Sequence, residues 1–118
     1  LRTANFLKKQ LVIKEIVLKT KQAFDGIVII FGSYAKGTQK KDSDLDVFVA
    51  GSYNKSIVGK ISNLYNLQIN VKNYPASALE HALIKKDILL TEIIKNHIIV
   101  SGAEEFVNTV MRDYYGKD

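Results

Sequence analysis

The sequence predicts an α/β (α+β) domain in which helices flank a small mixed β-sheet. Three observations point there. Helical segments with one apolar face alternate along the chain with short runs of strand length. One such run, IVIIF at 27–31, is β-branched and continuously apolar, as in a strand buried on both faces. Another, LQINVKNY at 67–74, places Leu67, Ile69 and Val71 on one side and Gln68, Asn70 and Lys72 on the other, the period of a half-buried strand.

Taken in order, residues 5–24 read as a helix, with Phe6, Ile13, Val17 and Phe24 recurring at spacings of seven and four and lysines opposite. Asp25–Gly26 reads as a turn into the strand at 27–31. Residues 33–37 can form one helical turn, and LDVFVA at 45–50 is a second strand. A weaker helix, interrupted by Gly59, is expected over 55–66. Pro75 ends the alternating strand. Ser77 with Glu80 has the spacing of a capping box that opens a helix, and another helix is expected over 87–96. HIIVS at 97–101 is a short strand. Ser101 with Glu104 has capping-box spacing again, before a last helix reaching about Tyr114. Ala103, Phe106, Val107, Val110, Met111 and Tyr114 share one face of that helix.

The 118 residues are expected to form one domain, 1–118. The chain opens at Leu1 rather than Met, so it is expected to be the excised part of a longer protein. No run of eighteen apolar residues occurs, and the N-terminus as given lacks the short apolar core and small-residue cleavage site of a secretory signal, so no membrane role is expected. Cysteine is absent, which excludes disulfides, thiolate metal sites and cysteine nucleophiles and fits a reducing, cytoplasmic setting. The net charge of +5 suits polyanionic partners, nucleotides or nucleic acid, although from charge alone a lysine-rich solvated surface is the favoured reading.

The chemistry concentrates in FGSYAKGTQKKDSDLDVFV, residues 31–49. Gly32 to Gly37 has the glycine spacing of a P-loop, but Thr38 stands where the phosphate-reaching lysine belongs. The physical reading is different. Gly32 lets the chain turn sharply after a buried strand. Ser33 offers a hydroxyl and an N–H at the start of a helical turn, where an anion is favoured. Gly37 permits the exit turn, with Lys36, Lys40 and Lys41 nearby. Asp44 and Asp46 lie two apart on an extended segment, so both carboxylates project from one face while Leu45, Val47 and Val49 face the core. Like charges so placed are best tolerated around a divalent cation, and oxygen ligation by carboxylates and phosphates is Mg²⁺ chemistry. An isolated Asp-x-Asp is usually just solvated. Ten residues after Gly-Ser and between two apolar strands, it points to phosphoryl or nucleotidyl transfer.

With these residues the chain resembles the nucleotidyltransferases of the DNA polymerase beta superfamily, above all the minimal nucleotidyltransferase domains of prokaryotes. The matching residues are Gly32 and Ser33, then Asp44 and Asp46 after ten residues, with Gly37 and Ser43 in the usual form of the motif. The resemblance implies the nucleotidyltransferase fold. It also implies that Gly32 and Ser33 hold the β/γ-phosphates of ATP or another NTP, and that Asp44 and Asp46 are catalytic ligands of Mg²⁺ in a one- or two-metal site. Lys36, Gly37, Ser43 and Asn70 are the further nucleotide-binding candidates. The metals would activate an acceptor hydroxyl for attack on the α-phosphorus, releasing pyrophosphate. Such families supply a third carboxylate from a following strand, and the matching slot here is Asn70, an amide and a poorer Mg²⁺ ligand. Glu80 and Glu104 read as capping residues, and Asp87 and Glu92 fall on helices, so no replacement acid is evident.

The leading expectation is a nucleotidyltransferase moving AMP from ATP to a hydroxyl. The acceptor would be a partner protein, as in antitoxins that adenylylate a toxin, or a small molecule or RNA end. The rival is a catalytically impaired nucleotide-binding or homodimerising module of a DNA-binding regulator. Lys36, Lys40 and Lys41 either touch triphosphate or form a solvated loop. His81, His97 and Tyr114 are expected in structural roles.

Overall fold

The computed structural model describes residues 2–117, with side chains from Leu11 onward except Val12. In chain order the elements are α1 (Arg2–Lys21), β1 (Phe24–Phe31), α2 (Ser33–Lys36), β2 (Leu45–Tyr53), α3 (Lys55–Tyr65) and β3 (Ile69–Tyr74). They continue with α4 (Ala76–Ile84), α5 (Ile88–Lys95), β4 (Ile98–Ser101), α6 (Ala103–Thr109) and a π-helical turn, Val110–Tyr114. The strands form one sheet in the order β3-β2-β1-β4. β1 runs antiparallel to β2 and to β4, while β2 and β3 are parallel. The expected mixed sheet is therefore present.

β1 and β2 are central, and their stretches 27–31 and 47–50 are buried on both faces, as the unbroken apolar run at 27–31 predicts. On one face Val28, Ile30, Val47 and Val49 pack with Ile16 of α1 and Val58 and Ile61 of α3. β3 contributes Ile69 and Val71 to this layer, and Leu67, which precedes the strand, packs with them. On the other face Ile27, Ile29, Phe31 and Phe48 meet Leu79 and Leu83 of α4, Leu90 and Ile93 of α5, and Phe106 of α6. Two hydrophobic layers thus clamp the sheet and hold its strand ends in a fixed relation. Among the described residues no helix is long and apolar enough to cross a membrane.

Several local expectations are corrected. The first helix ends at Lys21, not at residue 24, and Phe24 instead opens β1 opposite Tyr53; Phe6 lies outside the described side chains. Asp25–Gly26 is not a turn but part of β1, paired with Ser52 and Gly51. The reason is a glycine pair. A Cβ on Gly26 would lie 2.3 Å from the Ala50 carbonyl oxygen, and one on Gly51 would lie 2.1 Å from that of Asp25. Glycine on both strands lets the backbones approach, so here it sustains pairing rather than ending it. Gly59 does not break α3, which runs continuously from Lys55 to Tyr65.

Neither capping box forms. Ser77 lies inside α4, whose N-cap is Pro75, without a side-chain cap. Ser101 closes β4 and donates to the Gly26 carbonyl at 3.2 Å, leaving Gly102 as the N-cap of α6. Asp87 caps α5 instead, its carboxylate accepting from the N–H groups of Leu89 and Leu90. The last helix buries a narrower stripe than expected. Phe106 and Val110 are buried, while Val107 and Met111 remain exposed, and the helix passes into a π-helical turn after Thr109.

Candidate nucleotide and metal site

Three strand ends meet at one end of the sheet. Phe31, the last residue of β1, is the register partner of Asp46 on β2. Asp46 is in turn the partner of Asn70 on β3. The parallel β2–β3 pairing starts where the Leu45 N–H donates to the Gln68 carbonyl at 2.8 Å. Gly32 to Ser33, Asp44 to Asp46 and Asn70 are thereby brought together from three separate segments.

Gly32 has φ 70° and ψ −148°, a conformation open essentially to glycine. A Cβ here would lie 2.3 Å from Asp46 Oδ2. The residue thus serves two purposes, turning the chain into α2 and leaving space at the Asp46 carboxylate. One turn of helix follows. The Lys36 N–H donates to the Gly32 carbonyl at 3.0 Å, and the Thr38 N–H to that of Ser33 at 2.9 Å. Gly37 closes the turn in the left-handed region at φ 73°. Ser43 serves the loop that follows, its Oγ accepting from the Lys40 N–H at 2.7 Å.

Asp44 is exposed just ahead of β2, and Asp46 is half-buried on it. The Asn70 amide bridges them. Its Nδ2 donates to Asp44 Oδ2 at 3.0 Å and to Asp46 Oδ1 at 3.3 Å. An amide N–H₂ facing two carboxylates relieves part of their repulsion but carries no charge of its own. A polar hollow of about 440 Å³ opens beside Asp44, lined in part by Ser43, Ser62, Asn63, Asn66 and Gln68. The sequence reading passed over Tyr34. Burial raises its phenol pKa first, and the Asp44 carboxylate adds to that shift. Its place right after Ser33 was the one available signal.

Other candidates are engaged elsewhere. Lys36 turns toward α5, where its Nζ lies 3.6 Å from Glu92 Oε1. Asp87 caps α5 and accepts from the Tyr74 hydroxyl at 3.2 Å. His97 Nδ1 contacts the Ile93 carbonyl at 2.9 Å, and its ring packs edge-on against Phe106. Glu80 and Glu104, although not capping residues, do not join the aspartates: among the described residues no three His, Cys, Asp or Glu side chains form a metal-holding group.

The carboxylate oxygens of Asp44 and Asp46, with no side chain on Gly32 to crowd Asp46, are a donor set that fits a cation completing its shell with phosphate oxygens and water, the habit of Mg²⁺. The fold is a mixed sheet flanked by helices, with Gly32, Ser33, Asp44, Asp46 and Asn70 gathered at one end of it. A family model described as "Nucleotidyltransferase domain" matches residues 12–107, and the chain belongs to that family of nucleotide-transferring enzymes. A Methanocaldococcus jannaschii protein, provisionally named a protein adenylyltransferase, is 31% identical over 80 residues. The match covers 65% of this chain and 56% of that protein, so the chain spans little more than half the length of its relative. Two solved structures share the fold. A toxin–antitoxin crystal structure with AMP-PNP has a TM-score of 0.59 at 13% identity, covering 87% of this chain and 84% of that one. The toxin–antitoxin MntA-HpeT, in a mutant with two aspartates changed to glutamate, has a TM-score of 0.56 at 14% identity, covering 88% and 82%.

Proposed function

We propose that this chain transfers a nucleoside monophosphate, AMP from ATP, to a hydroxyl on a partner protein, with Mg²⁺ as cofactor. The observation that carries this reading is the convergence of Gly32–Ser33 with Asp44 and Asp46 at one strand-end cluster. In this reading Gly32 and Ser33 receive the β- and γ-phosphates, and Gly37 fixes the turn that presents them. Asp44 and Asp46 hold the cation. When bound, the cation supplies neutralisation of phosphate charge and acidification of the acceptor hydroxyl. The acceptor oxygen bonds to the α-phosphorus as the bond to the β-phosphate oxygen breaks. Pyrophosphate leaves and the hydroxyl proton passes to solvent. The chain's own contribution is positioning and a charge-matched cradle.

The name of the M. jannaschii relative and the toxin–antitoxin setting of the structural neighbours support a protein acceptor. One observation favours a second reading, nucleotide binding without turnover: Asn70 stands opposite Asp46, where an acid would assist deprotonation. The test is incubation with α-labelled ATP, Mg²⁺ and the protein encoded beside this one, comparing wild type with Asp44→Asn/Asp46→Asn. Label on the partner that disappears in the double variant is expected. Label that persists would overturn the site. Mg²⁺-dependent ATP binding without any label would select the second reading.

A further inference from the structure

On the α5 flank of the molecule a hollow of about 510 Å³ lies between α2 and α5, its lining including Lys36, Lys86, Ile88, Glu92 and Lys95. Two features set it apart from ordinary surface. Ile88 is 89% exposed, the most exposed large hydrophobic among the described residues. It makes no contribution to the core, which α5 reaches through Leu90 and Ile93. A lone exposed isoleucine is common, but this one stands within a cationic rim. Three lysines against one glutamate leave two positive charges around it.

The rim is partly preorganised. Lys86 Nζ donates to the Tyr114 carbonyl at 2.5 Å and stands 3.8 Å from that ring's centroid. Lys36 is held toward Glu92. Charges fixed before binding cost less entropy to engage than free ones.

We infer that this hollow docks an acidic segment of a partner protein, with an apolar side chain of that segment seated on Ile88. Charge complementarity selects the occupant. A second copy of this chain packed two-fold on this face would bring the same lysines against these, and its net charge of +5 disfavours approach by its other surfaces. A nucleic acid backbone would use the lysines but leave Ile88 in water. An acidic segment with one apolar residue satisfies both features. Lys36 belongs to the same single helical turn as Ser33, so a partner held here stands beside the proposed phosphate cradle. Docking would then raise the local concentration of the acceptor hydroxyl. This role in transfer rests on the proposed function, whereas the docking itself does not require turnover.

The experiment uses the full, isotope-labelled chain and a short glutamate-rich peptide with one central leucine. Controls are the same peptide with serine for leucine, and a short single-stranded RNA. Affinity is read by fluorescence anisotropy and the contact surface by amide chemical shifts. The leucine peptide is expected to shift amides around Ile88 and Lys95. Ile88→Ser, Lys95→Glu and the serine peptide should each weaken binding by about tenfold. Both protein substitutions lie on the surface, and unchanged melting curves confirm that the fold is intact. Absence of peptide binding, shifts confined elsewhere, unchanged affinity in Ile88→Ser, or preference for RNA independent of Ile88 would each overturn the inference. A parallel MgATP titration on Asp44→Asn/Asp46→Asn keeps the two readings apart. ATP affinity unaffected by that change sinks the nucleotide site and leaves a positive peptide result standing.

Discussion

Asn70 links the two aspartates at the start of β2. Its amide sits between Asp44 and Asp46 with hydrogen bonds of 3.0 and 3.3 Å. Without a cation, that amide is what offsets the repulsion of two neighbouring carboxylates. Asn70→Asp should therefore lower the stability of the metal-free protein by about 1 kcal/mol, a modest figure because the cluster is open to solvent. Added Mg²⁺ should restore it, and the transition midpoint should become more metal-dependent than in wild type. Thermal melts with and without Mg²⁺ check this, and a destabilisation that Mg²⁺ leaves untouched would contradict it. Gly32 marks the limit of substitution at the same spot, since its positive φ and the 2.3 Å approach to Asp46 both exclude a side chain. The sequence alone pointed to both residues. Gly-Ser and Asp-x-Asp are local motifs, and Asn70 follows from counting along an alternating strand. Which way the amide faces depends on the β2–β3 register, which no local pattern contains.

Among the elements, helix starts were the least legible. Ser77 and Ser101 both had the capping spacing, yet Pro75 and Gly102 hold those positions. Tertiary context decided: Ser101 is held in the sheet by β4 pairing with β1, where its hydroxyl meets the Gly26 carbonyl. Asp87, read only as an acid on a helix, is the residue that caps. Asp87→Ala should cost about 1 kcal/mol, whereas Ser77→Ala should stay within about 0.5 kcal/mol of wild type. Chemical denaturation of the two variants side by side tests the assignment, and equal losses would refute it. The Asp25–Gly26 misreading has the same origin. Asp-Gly is a turn signal in isolation, but opposite Gly51 it becomes a close strand crossing.

For the molecule as a whole, ionisation of half-buried tyrosines is one contribution to loss of stability at alkaline pH. Burial and then the Asp87 carboxylate raise the phenol pKa of Tyr74, which bridges β3 to α5. Burial and then Asp44 do the same for Tyr34. A group whose pKa is higher folded than unfolded favours the fold while protonated in both states. This contribution is thus complete below about pH 10 and falls away as pH rises through the folded value. Tyr74→Phe should flatten the alkaline decline in stability, as measured by melts from pH 8 to beyond 10, and an unchanged decline would count against it. At this scale the sequence was most informative about what is local and periodic. The central strands, the alternating third strand, the helices between them and the Gly-Ser/Asp-x-Asp motif all follow from apolar spacing and residue type. Strand order, the meeting of Phe31, Asp46 and Asn70 on adjacent strands, the diversion of Lys36 to Glu92 and the cationic hollow around Ile88 do not. These join residues far apart in the chain, and pairing register and packing against two hydrophobic layers, not local preference, bring them into contact.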